Sequence, residues 1–104
     1  MKRIKRRYLA IQLECEVTPT ERELMNATWA SITRLYGEVG ASLTGLALID
    51  FDAEHKIAVV RCTLASLPSV RASLTAVTRV ADYEAAMHVL AVSGTIKALS
   101  LHFQ

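Results

Sequence analysis

Side chains that could carry acid–base or metal chemistry are few and widely spaced in this sequence. The histidines are His55, His88 and His102, and Asp50 and Asp52 alternate just before the first of them. Metal sites need several ligands at short, characteristic spacings, and covalent catalysis needs a base beside its nucleophile. The sequence offers neither pattern, and turn capping explains the two aspartates. We therefore expect no catalytic residue, no metal ligand and no cofactor in this chain.

The two cysteines, Cys15 and Cys62, are too few for a disulfide scaffold. Neither belongs to a Cys-x-x-Cys motif, so the spacing typical of redox and zinc sites is missing. We expect both side chains to be reduced thiols in the core.

Two glycine-containing segments are candidates for binding phosphate. The first contains Gly37, Gly40 and Gly45 but lacks the lysine and the preceding strand of a phosphate-binding loop. We therefore expect these glycines to permit positive φ angles between a helix and a strand. The second, residues 93–97, reads Ser-Gly-Thr-Ile-Lys and combines free backbone N–H groups with a lysine at an expected helix start. A phosphate could bind there, and a simple helix cap is the alternative.

Positive charge is concentrated at the N-terminus. Of the twelve basic residues, Lys2, Arg3, Lys5, Arg6 and Arg7 come first, whereas the rest of the chain is mildly acidic and the net charge is only +2. The positive field therefore belongs to an arm, residues 1–7, and not to the domain that follows, residues 8–104. We expect the arm to contact phosphates, and a solubilising tail is the alternative.

Length and composition indicate one ordered domain. With 104 residues, 52% of them hydrophobic, the chain can build a single two-layer core. It contains no apolar run of the roughly 20 residues needed to cross a bilayer. The apolar stretch that follows the basic arm is also too short and too polar for a signal peptide. We expect a cytoplasmic protein without a membrane partner.

The first half of the chain predicts a strand followed by a helix. Apolar and polar residues alternate from Tyr8 to Val17, which is the pattern of a half-buried strand. Thr18 can then cap a helix, with Pro19 at its first position and Glu21 completing a capping box. An apolar stripe at helical spacing continues to Gly37, where we expect the helix to end.

The second half predicts a hairpin, a helix, a strand and a short final helix. Strands over Leu46–Phe51 and Ile57–Ala65 form the hairpin, and the face with Ala58, Val60 and Cys62 is expected to be buried. The remaining elements are a helix capped by Ser66 with Pro68 near its start, a strand over Ala86–Val92, and a helix from Ser93 or Thr95 to Phe103. The order βαββαβ predicts an α+β, ferredoxin-like sandwich with a four-stranded antiparallel sheet and an extra C-terminal helix.

The expected sheet face opposite the helices does not suit base stacking. RNA-recognition motifs stack bases on aromatic residues of their central strands, and Tyr8 is the only aromatic residue expected on this face. Apolar side chains are expected there instead, which is unusual for a sheet face in water. Leu48, Ile57 and Val59 therefore predict a protein interface, unless the C-terminal helix covers them.

Several segments, in order along the chain, carry distinctive residues. They are Arg6-Arg7-Tyr8-Leu9-Ala10, Leu35-Tyr36-Gly37-Glu38-Val39-Gly40-Ala41-Ser42, Val60-Arg61-Cys62 and Val92-Ser93-Gly94-Thr95-Ile96-Lys97. In these segments, which span nearly the whole chain, the sequence resembles the ribonuclease P protein component 2 family. That family contains archaeal proteins and a related eukaryotic subunit shared with RNase MRP. The compact length predicts an archaeal member.

The resemblance implies a ferredoxin-like fold and a ribonucleoprotein that removes the 5′ leader of precursor tRNA. It implies that the RNA subunit and its bound Mg²⁺ perform the catalysis, and that this protein pairs with a barrel-shaped subunit, component 3. Self-association within a heterotetramer is a further expectation. RNase P RNA, and precursor tRNA within the complex, are then the nucleic-acid partners. The expected RNA contacts, besides the basic arm, are Arg61, Ser93, Gly94, Thr95 and Lys97.

A regulatory function is the alternative to this interpretation. Small ferredoxin-like domains also form dimeric modules that bind an amino acid or another small metabolite, and the glycine-containing segment from Gly37 to Gly45 could serve such a module. Thermal-shift measurements with metabolites and with RNase P RNA would distinguish the two functions.

Overall fold

The described part of the chain, residues 4–100 of a computed structural model, alternates strands with helices; Ser100 is described by its backbone only. Lys2, Arg3, His102 and the expected helix end at Phe103 lie outside the described residues. No helix within residues 4–100 is long and apolar enough to cross a membrane. The elements are β1 (Arg6–Cys15), α1 (Glu21–Ser42), β2 (Ala47–Asp52), β3 (Ile57–Thr63), a 3-10 turn (Leu64–Ser66), α2 (Leu67–Thr75), β4 (Arg79–Val80), β5 (Tyr83–Ser93) and α3 (Ile96–Ser100).

The sheet has five strands in the order β2-β3-β1-β5-β4, and all neighbouring strands are antiparallel. The α+β class and the antiparallel sheet are confirmed, and the four long strands lie in the order expected from two crossovers. The predicted count of four strands is wrong, because β4 pairs with the start of β5 across a turn of Ala81 and Asp82. A strand of two residues is too short to produce an alternating pattern in the sequence.

The core lies between one face of the sheet and the helices α1 and α2. Leu9, Ile11 and Leu13 of β1 are buried there as predicted, beside Ala58, Val60 and Cys62 of β3. The helices contribute Leu24, Ile32, Val70 and Leu74 to the same cluster. Leu48 also packs against this cluster and pairs with Val60. Its predicted place on the opposite face is therefore wrong.

The helix α1 begins two residues later than predicted. Thr20, and not Thr18, is its cap: the Thr20 hydroxyl accepts a hydrogen bond from the backbone N–H of Glu23 at 3.1 Å. The Glu23 carboxylate accepts one in return from the Thr20 N–H at 2.9 Å, which completes a capping box. The sequence Thr-Pro-Thr-Glu-Arg-Glu contains two overlapping capping signals, and both carboxylates fall in the first turn of the helix.

Gly37 does not end α1 but bends it. Its φ of 76° and ψ of 173° interrupt the helix, which then resumes and continues to Ser42. This backbone conformation is essentially restricted to glycine. The positive φ predicted for Gly37 and Gly45 is confirmed, whereas Gly40 lies within the resumed helix.

The two later helices differ in their caps. Thr95 caps α3, since its hydroxyl accepts a hydrogen bond from the N–H of Ala98 at 3.1 Å. Ser66 stands at the N-cap position of α2, as predicted, but its hydroxyl donates to the Leu43 carbonyl at 3.2 Å and makes no capping hydrogen bond. The short helix α3 lies against β1 and β5.

Candidate nucleic-acid interface

Segments that are far apart in the sequence meet at one end of the sheet. β1 starts there, while β3 and β5 end there, because both run antiparallel to β1. Tyr8 pairs with Arg61 on one side and with Ser93 on the other. We call this the basic end, and its cationic residues are Lys5, Arg6, Arg7, Arg61 and Lys97. The structure therefore brings the described members of the predicted RNA-binding set to one region.

The predicted arm, residues 1–7, overlaps the start of β1. Arg6 and Arg7 are the first residues of β1 and pair with Thr63 and Cys62. The Lys5 carbonyl accepts a hydrogen bond from the Leu64 N–H at 2.8 Å, so the backbone is already held at that residue. The side chains of Lys5 and Arg6 are nevertheless exposed.

Arg7 links the start of β1 to the turn after β5. Its Nη1 donates to the Arg6 carbonyl at 2.8 Å, and its guanidinium lies beside the backbone of Gly94. A Cβ at Gly94 would lie 3.6 Å from that nitrogen, an ordinary van der Waals distance, so this approach does not require glycine. Within the turn, the Ser93 hydroxyl accepts from the Thr95 N–H at 3.3 Å. Part of this segment therefore caps a helix, which is the alternative that the sequence offered to phosphate binding.

Arg61 holds an unusual donor at the basic end. Its Nε is buried and has no hydrogen-bond partner among residues 4–100. A buried N–H without an acceptor costs free energy, so such groups are rare in folded proteins. A phosphate oxygen would satisfy this donor only if the side chain moved, because the nitrogen itself has no exposed surface.

The opposite end of the sheet is rich in carboxylates. We call it the acidic end, and it contains Glu14, Glu16, Asp52, Glu54, Asp82 and Glu84 from the end of β1 and two hairpin turns. Its charges are partly paired: His55 Nδ1 lies 2.7 Å from Asp52 Oδ2, and His88 Nε2 lies 3.2 Å from Glu14 Oε2. Lys56 and Arg79 lie at this end as well and are hydrogen-bonded to the carbonyls of Cys15 and Asp82. Carboxylates still outnumber cations among its described residues, so this end is less favourable for phosphates than the basic end.

The Asp52–His55 pair shifts both of its pKa values. The hydrogen bond to His55 lowers the pKa of Asp52, and the hydrogen bond to Asp52 raises the pKa of His55. Both side chains are exposed, at 47% for Asp52 and 65% for His55. This is the arrangement of a turn-closing pair, since Asp52 also accepts the His55 N–H at 3.1 Å.

Two pairs of titratable side chains, Asp52–His55 and Glu14–His88, meet in the described part of the chain. No group of three or more His, Cys, Asp or Glu side chains within residues 4–100 is placed to hold a metal ion. Both cysteines are free thiols; Cys62 is buried, as predicted, and Cys15 is half-buried. Burial raises the pKa of Cys62 to about 11, which leaves this thiol protonated and unreactive near neutral pH.

The sheet face opposite α1 and α2, which we call the open face, is partly covered by α3. Gln12 and Ala10 of β1 pair there with Ile57 and Val59 of β3. Ala10 is fully buried, and Leu99 of α3 is only 2% exposed. Between α3 and the β2–β3 hairpin remains a groove of about 240 Å³, which we call the β2–β3 groove. It is lined by Ile49, Asp50, Asp52, Ile57, Val59, Ile96 and Leu99.

The sequence interpretation missed exposed apolar residues on both sides of Gly37. Tyr36, Val39 and Leu43 are 43%, 76% and 67% exposed. Their helical spacing in the sequence does not place them on one face, because the non-helical Gly37 separates Tyr36 from the other two.

Comparison with known proteins identifies the family. The sequence model of the Rpp14/Pop5 family matches residues 7–104, nearly the whole chain. The chain belongs to this family.

Rpp14/Pop5 relatives in archaea carry the name ribonuclease P protein component 2. The relative from Methanosarcina mazei is 33% identical over 97% of this chain and 85% of its own length. The Pyrococcus furiosus relative is 35% identical over 97% of this chain and 84% of its own. The Archaeoglobus fulgidus relative is 38% identical over 91% of this chain and 84% of its own. The predicted family is thus confirmed.

A chain of the cryo-EM structure of yeast ribonuclease MRP has the same fold as this Rpp14/Pop5 protein. It superposes with a TM-score of 0.74, over 91% of this chain and 78% of its own length. The sequence identity is only 11%, so the likeness concerns the fold alone.

Proposed function

We propose that this chain is a protein subunit of ribonuclease P that supports removal of the 5′ leader from precursor tRNA. The observation that carries this proposal is the similarity to ribonuclease P protein component 2 over 97% of the chain. The similarity covers most of the relatives' own length as well, so it is not limited to one shared segment. Nothing in the comparisons favours a metabolite-binding regulatory module.

RNA contact is assigned to the basic end. Lys5 and Arg6 lie where β1 begins and Arg61 lies near the end of β3, which pairs with it, so their fields add over one region. Lys2 and Arg3 extend the same arm, and Ser93, Gly94, Thr95 and Lys97 border it. The acidic end would face away from the phosphates, so that the protein has a defined orientation on the RNA.

Catalysis is assigned to the RNA subunit and the Mg²⁺ that it binds, and this chain is proposed to carry no catalytic residue and no cofactor. Phosphodiester cleavage by a protein needs positioned metal ligands or an acid–base pair. His55 and His88 are each within 3.2 Å of a carboxylate, but both pairs are exposed on the acidic end and not near the cationic residues. Their positions therefore favour structural roles.

A protein partner is assigned to the open face. Ile57 and Val59 lie on this face and are only partly covered, which supports a contact with ribonuclease P protein component 3. Leu48 packs against the core from the other side and is a weaker candidate. Self-association within a heterotetramer, and a cytoplasmic location, complete the proposal.

Reconstitution with the RNA subunit tests this function. The purified protein alone should not cleave precursor tRNA at any Mg²⁺ concentration. Added to the RNA subunit with its partner proteins, it should raise single-turnover cleavage and lower the Mg²⁺ required, since basic side chains neutralise phosphates.

Variants test in the same assay whether this chain only supports cleavage or carries a catalytic group. His55→Ala, His88→Ala, Asp50→Ala and Asp52→Ala should each leave the assembled complex close to full activity. A variant that folds by circular dichroism, assembles normally and loses about a thousandfold in rate would place a catalytic group in this chain. A reconstituted complex that is equally active without this protein would contradict its role as a subunit.

A further inference from the structure

The β2–β3 groove combines an apolar floor with an acidic rim. Its aliphatic residues come from β2, β3 and α3, while Asp50 and Asp52 contribute the charged groups and no lysine or arginine lines it. Asp50 pairs with Val59 and Asp52 pairs with Ile57 across the hairpin, so each carboxylate lies beside an apolar residue of the neighbouring strand. The groove therefore contains the same arrangement twice, an apolar side chain with a carboxylate beside it.

The two carboxylates differ in their hydrogen-bond partners. Asp52 is hydrogen-bonded to His55, whereas Asp50 is exposed and has no hydrogen-bond or ion-pair partner within residues 4–100. An exposed carboxylate at the edge of an apolar groove attracts a cation from a partner at little desolvation cost. β2 is also the outer strand of the sheet, so the groove is approachable from that side.

We propose that the β2–β3 groove binds a protein segment in which an aliphatic side chain is flanked by lysine or arginine, supplied by another subunit. The inference rests on the proposed function and deepens it, because it assigns the chemistry of a contact between this subunit and a neighbour. RNA is disfavoured, since the carboxylates repel phosphates. A second copy of the same face is disfavoured as well, since it would bring Asp50 and Asp52 of both copies together.

A peptide titration followed by methyl NMR tests the groove directly. The probe is acetyl-Arg-Lys-Val-Arg-Lys-amide, which has the proposed chemistry without copying residues 2–6 of this chain, and Arg-Lys-Ser-Arg-Lys and Glu-Glu-Val-Glu-Glu peptides are the matched controls. The Arg/Lys–Val peptide should shift the methyl signals of Ile49, Ile57 and Val59, and both controls should bind at least tenfold more weakly. Replacing Asp50→Asn and Asp52→Asn together should weaken the first peptide about tenfold. Equal binding of all three peptides, or shifts elsewhere only, would overturn the proposal.

Association with component 3 gives the second readout. Asp50 is exposed, so Asp50→Lys should fold normally and should weaken this association at least tenfold, while Glu38→Lys, on α1, should not. If component 3 binds the Asp50→Lys protein normally and the peptide also fails to bind, the groove inference falls while the proposed function stands. If component 3 does not bind even the unaltered protein but the peptide maps to the groove, the groove stands and that partner assignment falls.

Two competing occupants come from this chain itself. The arm of a second copy has the required composition around Ile4; in that case the protein would sediment as a dimer, and Lys2→Ala, Arg3→Ala and Lys5→Ala together would convert it to a monomer. The second competing occupant is formed by the chain's own C-terminal residues. In that case the peptide would bind the Phe103→Ser variant strongly and would not bind the unaltered protein. Either result overturns the assignment to another subunit. Substitutions that leave both the oligomeric state and the peptide binding unchanged support it.

Discussion

The two ends of the sheet carry opposite charge and hold that charge in different ways. At the basic end, Lys5 and Arg6 project into solvent and Arg61 keeps a buried Nε without a partner in the described chain. At the acidic end, Asp52 and Glu14 are each paired with a histidine within the protein. The exposed cations of Lys5 and Arg6 suit a polyanionic partner, which agrees with the RNA contact proposed for the basic end. Asp52 is used instead to close a turn through its hydrogen bonds with His55.

The largest expected effect is on RNA affinity at the basic end. Replacing Lys5, Arg6 and Arg61 with Ala should reduce the slope of log affinity against log salt by about two to three. The reason is that fewer counterions are released from the RNA on binding when three phosphate contacts are lost. The measurement is binding to ribonuclease P RNA over a series of salt concentrations. Glu14→Gln, Glu16→Gln and Glu54→Gln, which change as many charges at the acidic end, are the control and should leave the slope nearly unchanged. Equal changes in both sets would mean that only net charge matters and would remove the distinction between the ends.

A middle-sized effect is expected on stability beside the basic end. Gly37→Ala should lower the free energy of unfolding by about 1–3 kcal/mol, because φ of 76° with ψ of 173° is a conformation for glycine alone. An added Cβ would meet no heavy atom within 4 Å, so the cost reports the backbone and not a clash.

Urea unfolding measures this change, with the neighbouring Glu38→Ala as a control that should be nearly neutral. The salt slope of RNA binding should stay as in the unaltered protein, since Gly37 carries no charge. A stable Gly37→Ala protein would show that the bend in α1 is not required by the fold.

The smallest expected effect is on titration at the acidic end. Asp52→Asn should return the raised pKa of His55 toward its ordinary value of 6.5, because the hydrogen bond to a carboxylate is lost. The pair stabilises the turn while His55 is protonated, so its contribution is full below pH 6.5 and declines as pH rises through the raised pKa. It also declines as pH falls through the lowered pKa of Asp52, whose ordinary value is 3.8.

NMR titration of the His55 ring protons measures the shift, and Asp50→Asn, which leaves the Asp52–His55 hydrogen bond in place, is the control. An unchanged His55 pKa in Asp52→Asn would mean that the carboxylate is not the cause. The Asp52–His55 hydrogen bond would then be weaker in solution than its length of 2.7 Å indicates.

The sequence by itself determined the elements with strong periodicity and the family. Alternation over Leu9, Ile11 and Leu13 predicted which face of β1 is buried, because a strand repeats every two residues. The distinctive segments around Gly37 and Ser93 resemble the ribonuclease P protein component 2 family, and the match to the Rpp14/Pop5 family over residues 7–104 confirms this prediction. The clustering of cations in the first seven residues also pointed to phosphate contact, although the structure assigns Arg6 and Arg7 to β1.

Tertiary structure alone decided where these features meet. Arg61 and Ser93 lie on either side of Tyr8 only because β3 and β5 both pair with β1, and pairing between distant strands leaves no local trace in the sequence. Leu48 faces the core because β2 is irregular between Leu48 and Asp50, and one displaced residue exchanges the two faces of a strand. The β2–β3 groove likewise exists because α3 covers only part of the open face, which depends on the packing of Leu99.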